Sequence, residues 1–178
     1  MKEWWDFDEN KNYVIVNYKN KKYKVLNLPK KELVAKRLYD IENFINIISQ
    51  LIYKNLNKIP NNLKNNCIVF LSIHPDYYYL QEMQLNTSFL GLNKPKNVHF
   101  NKYLPSVGKD KFLKAEYRGI FLQIRNSNGK VKNMSELLPL VIHEISHTGC
   151  NHVRWRDDDH EKDFQDFENL IYDLIITK

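Results

Sequence analysis

Two hydrophobic patterns with different periods follow one another in the first third of this 178-residue chain. Between Tyr13 and Leu26, apolar and polar residues alternate on either side of Asn20-Lys21, and this alternation predicts a β-hairpin. From about Lys31 to Asn55, apolar residues recur mostly at steps of three and four, which predicts a long helix. Because no linker or repeat divides the chain, we expect residues 1–178 to form a single α+β domain.

The same periodicities predict the remaining elements. They are a buried strand over Cys67–Ile73, a strand over Tyr117–Arg125, a helix over Ser135–Gly149, and a last helix from about Asp158 to Ile176. Ser135 is the expected N-cap of the helix over Ser135–Gly149, and Gly149 is expected just after the end of that helix. The stretch His74–Val107 shows no clear period. Together these elements predict a small mixed β-sheet packed on helices.

Composition and chain ends restrict the expected location and partners. With 43% hydrophobic residues, the chain has enough apolar material for a folded core, which excludes disorder. No apolar run approaches the length of a bilayer span, and no signal peptide or lipidation motif is visible, so we expect an intracellular protein, cytoplasmic or nuclear, without a membrane partner. The net charge of +6 favours non-specific attraction to DNA. The lysines of Lys19–Lys24 and Lys30-Lys31 are the expected surface, although a solvated face is the simpler interpretation.

The segment His143-Glu144-Ile145-Ser146-His147 has the residues and the spacing of a zinc site. Residues four apart lie on one face of a helix, so both imidazoles can bind one Zn²⁺. Glu144 lies beside them and can take a proton from a metal-bound water as general base. The motif therefore predicts a zinc metallopeptidase that acts on a protein substrate, with His143 and His147 as ligands.

A catalytic zinc needs a third protein ligand and one open position. His160 is the favoured candidate, because it opens the last helix and Phe164 can pack one turn later. His152 and an aspartate of Asp157–Asp159 are the alternatives. His152 and Asp158 can instead orient the ligands from outside or face the substrate, and their simpler roles are a loop histidine and a helix cap. The position six residues after His147 is a valine, which excludes a standard metzincin.

An ordered series of motifs carries a resemblance to a known family. The series is Gly91–Lys96, Gly119–Arg125, Leu137–His147 and His160–Phe164, and it covers roughly residues 91–167. It resembles the WLM family, relatives of the SprT-like (Spartan-like) metallopeptidases that act on DNA–protein crosslinks. The resemblance implies a zincin-like fold, Zn²⁺, His160 as third ligand, and action on DNA-associated or crosslinked proteins. The long stretch between His147 and His160 resembles variants from large DNA viruses.

The analogy with zincins also predicts where a peptide binds. The helix that contains His143–His147, here called the motif helix, would lie in a substrate cleft, and the strand before it would form the upper rim of that cleft. A substrate would then add as an extended strand beside Gly119, Phe121, Gln123 and Arg125. Two other functions remain open: a nucleic-acid-binding or interaction protein whose zinc is only structural, and a host-interaction module with a degenerate site that binds no zinc. The intact Glu144 favours the enzyme, because a purely structural site needs no base.

Overall fold

The computed structural model describes residues 13–73, 78–85, 90–103, 112–150 and 162–176. Its strands are β1 (Tyr13–Tyr18), β2 (Lys21–Leu26), β3 (Tyr78–Glu82), β4 (Gly91–Tyr103) and β5 (Phe112–Leu122). Its helices are α1 (Lys31–Lys54), α2 (Asn61–Ile73), α3 (Met134–Gly149) and α4 (Lys162–Ile176), and a 3-10 turn over Leu56–Lys58 joins α1 to α2. The α+β class is therefore confirmed. Among these residues, none of the helices combines the length and apolar character needed to cross a membrane.

The N-terminal hairpin and the long helix are confirmed. β1 and β2 pair antiparallel from Tyr13 opposite Leu26 to Tyr18 opposite Lys21. The turn between them consists of Lys19 and Asn20, with φ of 48° and 65°. Positive φ at both central residues matches the twist of a two-residue hairpin, so the turn lies one position earlier than predicted. The inner face of the hairpin packs on α1 through buried residues such as Tyr23 and Val25.

The other three strands form one mixed sheet in the order β3-β5-β4. β5 is central: it runs parallel to β3 and antiparallel to β4. The mixed sheet was predicted, but β3 and β4 were not, because both fall in the stretch without a clear period. The predicted strand Tyr117–Arg125 is present in its first part, since β5 begins at Phe112 and ends at Leu122. Arg125 continues only as an isolated bridge to Val131.

The prediction of a buried strand over Cys67–Ile73 is wrong, because this segment is the second half of helix α2. The run is apolar almost throughout, and such a run does not distinguish a buried strand from a buried helix. The helical period becomes visible only when the preceding turn is included. The buried apolar residues of α2 then follow steps of three and four: Leu63, Cys67, Phe70 and Leu71.

A buried ion pair joins the hairpin to the sheet. Arg125 Nη1 lies 2.6 Å and 2.8 Å from the two carboxylate oxygens of Glu82, and both side chains are completely buried. The Glu82 carboxylate also accepts the Leu26 N–H at 2.7 Å, and Arg125 Nη2 donates to the Pro29 carbonyl at 3.1 Å. Burial raises the pKa of Glu82, while the Leu26 N–H and Arg125 oppose that rise. The pair fixes the end of β2 and the start of α1 against the sheet.

Helix α3 begins at a capping box, and its N-cap lies two residues before the predicted one. Asn133, not Ser135, is the N-cap: its side chain accepts the Glu136 N–H at 3.0 Å, and the Glu136 carboxylate accepts the Asn133 N–H at 3.1 Å. Gly149 is the last helical residue rather than the residue after the end, and Cys150 is the C-cap. α4 ends at Ile176 as predicted, while its predicted first residues, 158–161, lie outside the described residues.

Candidate functional site

Helix α3 presents His143 and His147 on one face, one turn apart. Their ring centroids are 5.3 Å apart and the rings are nearly perpendicular, at 87°. Two imidazoles bound to one tetrahedral zinc at nitrogen–zinc distances of about 2 Å have centroids roughly 5 Å apart. The observed separation therefore fits a shared metal ion. His147 is 9% exposed and the His143 side chain 37% exposed, so the pair lies at the boundary between core and solvent.

Phe164 of helix α4 packs against both histidines. Its ring centroid lies 4.6 Å from that of His147 and 5.1 Å from that of His143, and the side chain is buried. The ring restricts the rotation of both imidazoles from the side of α4. Phe164 lies in the first turn of α4, so this turn is next to the two histidines. His160, His152 and Asp157–Asp159 themselves lie outside the described residues, and their predicted roles stay predictions.

A carboxylate from α4 also contacts His143. Glu168 Oε2 lies 3.3 Å from His143 Nδ1, and the Glu168 side chain is 23% exposed. Over the described ranges, no group of three or more His, Cys, Asp and Glu side chains is arranged to hold a metal. Glu168 was not predicted from the sequence, in which it lies 25 positions after His143.

Glu144 is buried beside the histidines. It is 5% exposed, and this burial raises its pKa to about 8. The space for its carboxylate exists because residue 91 is a glycine: a Cβ there would lie 2.8 Å from both Cγ and Oε2 of Glu144. A carboxyl group with a pKa near neutrality can both accept and release a proton at physiological pH, which is the property required of a general base.

Strand β4 also holds the backbone of the motif helix. The Asn93 side-chain amide donates to the Glu144 carbonyl and, at 2.7 Å, to the Thr148 hydroxyl. Asn93 Oδ1 in turn accepts from Nε of the buried Arg118 at 2.6 Å. Gly91 and Asn93 belong to the motifs of the family resemblance, but no role was predicted for them or for Arg118. No local period reports these contacts, because they join segments 25 and about 50 residues apart.

The prediction that a substrate pairs with Gly119–Arg125 is wrong. Gly119 pairs with β3 on one side and β4 on the other, and so does Phe121. The Gln123 N–H donates to the Leu90 carbonyl at 2.9 Å, and Arg125 is fully buried against Glu82. The backbone of a central strand has no free hydrogen-bonding edge for another strand to join. The sheet edge that borders Glu144 belongs to β4.

Comparison with protein-family models, curated proteins and solved structures finds no match to this chain. The resemblance to WLM and SprT-like peptidases, and the zincin-like fold that it implies, therefore stay predictions.

Proposed function

We propose that this chain is a zinc-dependent endopeptidase whose site is formed by His143, Glu144 and His147. The observation that carries the proposal is the combination of two imidazoles at a metal-sharing distance with a buried carboxyl group in the next position. A zinc site that served only to stabilise the fold would not need that carboxyl group, and burying a carboxyl group in the core costs stability unless it is paired or hydrogen-bonded. His160 remains the proposed third ligand.

The chemistry follows from the positions of these side chains. Zinc, when bound, supplies an acidified water and polarises the scissile carbonyl. Glu144 accepts the proton of the attacking water on its carboxylate and then donates it to the nitrogen of the leaving amine. Gly91 leaves room for that carboxylate, while Asn93 fixes the helix backbone at the same residue. These contacts hold the base in place during proton transfer.

The proposed peptide-binding edge is the outer edge of β4. One edge of this strand pairs with β5, and no other strand among the described residues pairs with the opposite edge. An extended substrate can join such an edge through main-chain hydrogen bonds. Because Gly91 touches Glu144, a peptide bound along β4 would pass close to the base.

The test is metal analysis and peptide cleavage for three proteins: wild type, Glu144→Gln and Glu136→Gln. Glu136 lies on the same helix, and glutamine preserves its capping role, so this variant controls for a Glu-to-Gln change in α3. We expect about one zinc per chain in all three proteins and cleavage of an unfolded protein substrate in all but Glu144→Gln. Equal cleavage by Glu144→Gln and wild type would refute the proposed base.

One observation favours the second candidate, a nucleic-acid-binding protein with a structural zinc. Lys19 Nζ lies 5.2 Å from the Tyr39 ring centroid and Lys21 Nζ lies 6.0 Å from it, so lysines and an aromatic ring share one surface. Such surfaces suit single-stranded nucleic acid. Zinc binding by the wild type without any cleavage would favour this function.

Faster cleavage of a DNA-crosslinked protein than of the same free protein would support DNA-associated substrates for the proposed endopeptidase.

A further inference from the structure

One carboxylate of helix α4 contacts the motif helix and has no role in the proposed catalysis. We propose that Glu168 is a positioning residue for the metal ligand His143: its carboxylate accepts the Nδ1–H and thereby directs Nε2 towards the metal. This inference rests on the proposed function, since it concerns the same metal site. It adds a residue for which the HExxH motif and the family resemblance gave no role.

The position of Glu168 is set by buried contacts of its own helix. Phe164 and Glu168 are four residues apart, so they share the face of α4 that meets α3. Phe164 packs on both histidines, and Phe167 lies against Gly149, where an added Cβ would overlap the Phe167 ring. Phe167 also packs on Phe70 of α2, with ring centroids 5.9 Å apart. The Glu168 carboxylate is therefore carried by a helix that is packed against both α3 and α2.

The distance of 3.3 Å between Glu168 Oε2 and His143 Nδ1 has a consequence for the metal. A neutral imidazole carries its proton on one of its two nitrogens, and the hydrogen bond at that nitrogen decides which one remains free. A carboxylate at Nδ1 stabilises the proton there, leaving the Nε2 lone pair for zinc. The carboxylate also makes the imidazole more basic and therefore a stronger ligand for the metal. Loss of a hydrogen-bond partner of this kind typically weakens metal affinity about 10- to 100-fold.

The competing explanation is an ordinary surface ion pair. The two side chains are 37% and 23% exposed, and ion pairs as exposed as this contribute little to stability. An ion pair of that kind requires a protonated His143 and has no effect on which nitrogen binds a metal. The two explanations therefore differ in the tautomer of the neutral ring and in zinc affinity.

The experiment uses the full chain with four sequences: wild type, Glu168→Ala, Glu168→Gln and Asp166→Asn. Asp166 lies on the same helix and pairs with Lys162 at 3.1 Å, so its variant removes a carboxylate from α4 away from the histidines. Zinc affinity is measured by competition with a chelator. Long-range ¹H–¹⁵N NMR of the metal-free protein, at a pH where the ring is neutral, identifies the tautomer of His143.

We expect the Nδ1–H tautomer in the wild type and zinc binding about 10- to 100-fold weaker in Glu168→Ala. Glu168→Gln should keep part of the affinity, because the amide oxygen can still accept the Nδ1–H, and Asp166→Asn should bind zinc like the wild type. An Nε2–H tautomer, or unchanged zinc affinity in Glu168→Ala, would overturn the inference alone. A wild type that binds no zinc would instead overturn the proposed function.

Discussion

Replacement of Gly91 by alanine should displace the carboxylate of Glu144 and change the stability of the fold only slightly. The added Cβ would lie 2.8 Å from Cγ and from Oε2 of Glu144, and 3.0 Å from Cδ. Ordinary van der Waals contact between such atoms begins at 3.4 Å, so the carboxylate must move by roughly 0.6 Å to restore it. The strand cannot yield easily instead, because Gly91 is paired with Leu122 of the central strand β5.

The expected cost of Gly91→Ala differs for stability and for catalysis. Overpacking a core typically costs about 1–3 kcal/mol. The clash here is with a side chain rather than with the backbone, so we expect about 1 kcal/mol of destabilisation, the lower end of that range. Catalysis is more sensitive, because a misplacement of about 1 Å can reduce a rate on the order of 100-fold. A displacement of roughly 0.6 Å should therefore reduce kcat/KM at least about 10-fold while zinc remains bound.

The assay compares kcat/KM, zinc content and the urea unfolding midpoint of Gly91→Ala with those of Gly129→Ala. Gly129 has φ of 88°, and a Cβ added there would meet nothing within 4 Å, so alanine strains the backbone without touching the site. Its expected cost is about 1 kcal/mol of stability and no loss of activity. If both variants lose activity in proportion to stability, or if Gly91→Ala keeps full activity, the steric argument for the base is refuted.

Three further predictions concern the fold and the charged groups in it. Glu82→Ala leaves Arg125 buried without its partner and should lower the free energy of unfolding, measured in urea, by about 3–5 kcal/mol. Replacing both residues by methionine should cost less, and a larger cost for the double variant would contradict this. Asn133→Ala should lower stability by about 1 kcal/mol and Ser135→Ala by clearly less, and the reverse order would restore Ser135 as the cap. In the metal-free protein, burial raises the pKa of Glu144 from 4.5 to about 8, so the folded state holds this proton more tightly than the unfolded chain. The stability of the wild type relative to Glu144→Gln should therefore be highest below pH 4.5 and fall as the pH rises to about 8, and a pH-independent difference would refute the burial argument.

The sequence predicted those elements whose signal is local. The hairpin and α1 have clear periods over many residues, and both were found with nearly the predicted bounds. Cys67–Ile73 was assigned wrongly because the segment considered was too short and too uniformly apolar to show a period. The cap of α3 was a different error, since the signal was present. Asn133 stands three residues before Glu136, which is the capping-box spacing, while Ser135 does not.

The candidate site divides in the same way. His143, Glu144 and His147 lie within five residues on one helix, so helical geometry alone brings them together. Their supporting side chains, Asn93 and Glu168, come from other elements. Which strand lies beside α3, and which turn of α4 faces it, depends on the packing of the whole domain and leaves no period in the sequence.

The order of residues in strand β4 can nevertheless be interpreted once it is known that β4 lies beside helix α3. Residues two apart on a strand point to the same face, so Gly91 and Asn93 both face α3, one making room for the Glu144 side chain and the other binding its carbonyl. Leu92 points the opposite way and packs in the small cluster around Phe121. A slip of one residue would put leucine against Glu144 and asparagine into an apolar cluster. The Gly-Leu-Asn order therefore fixes the register of β4 against the motif helix, and this register gives the base its space.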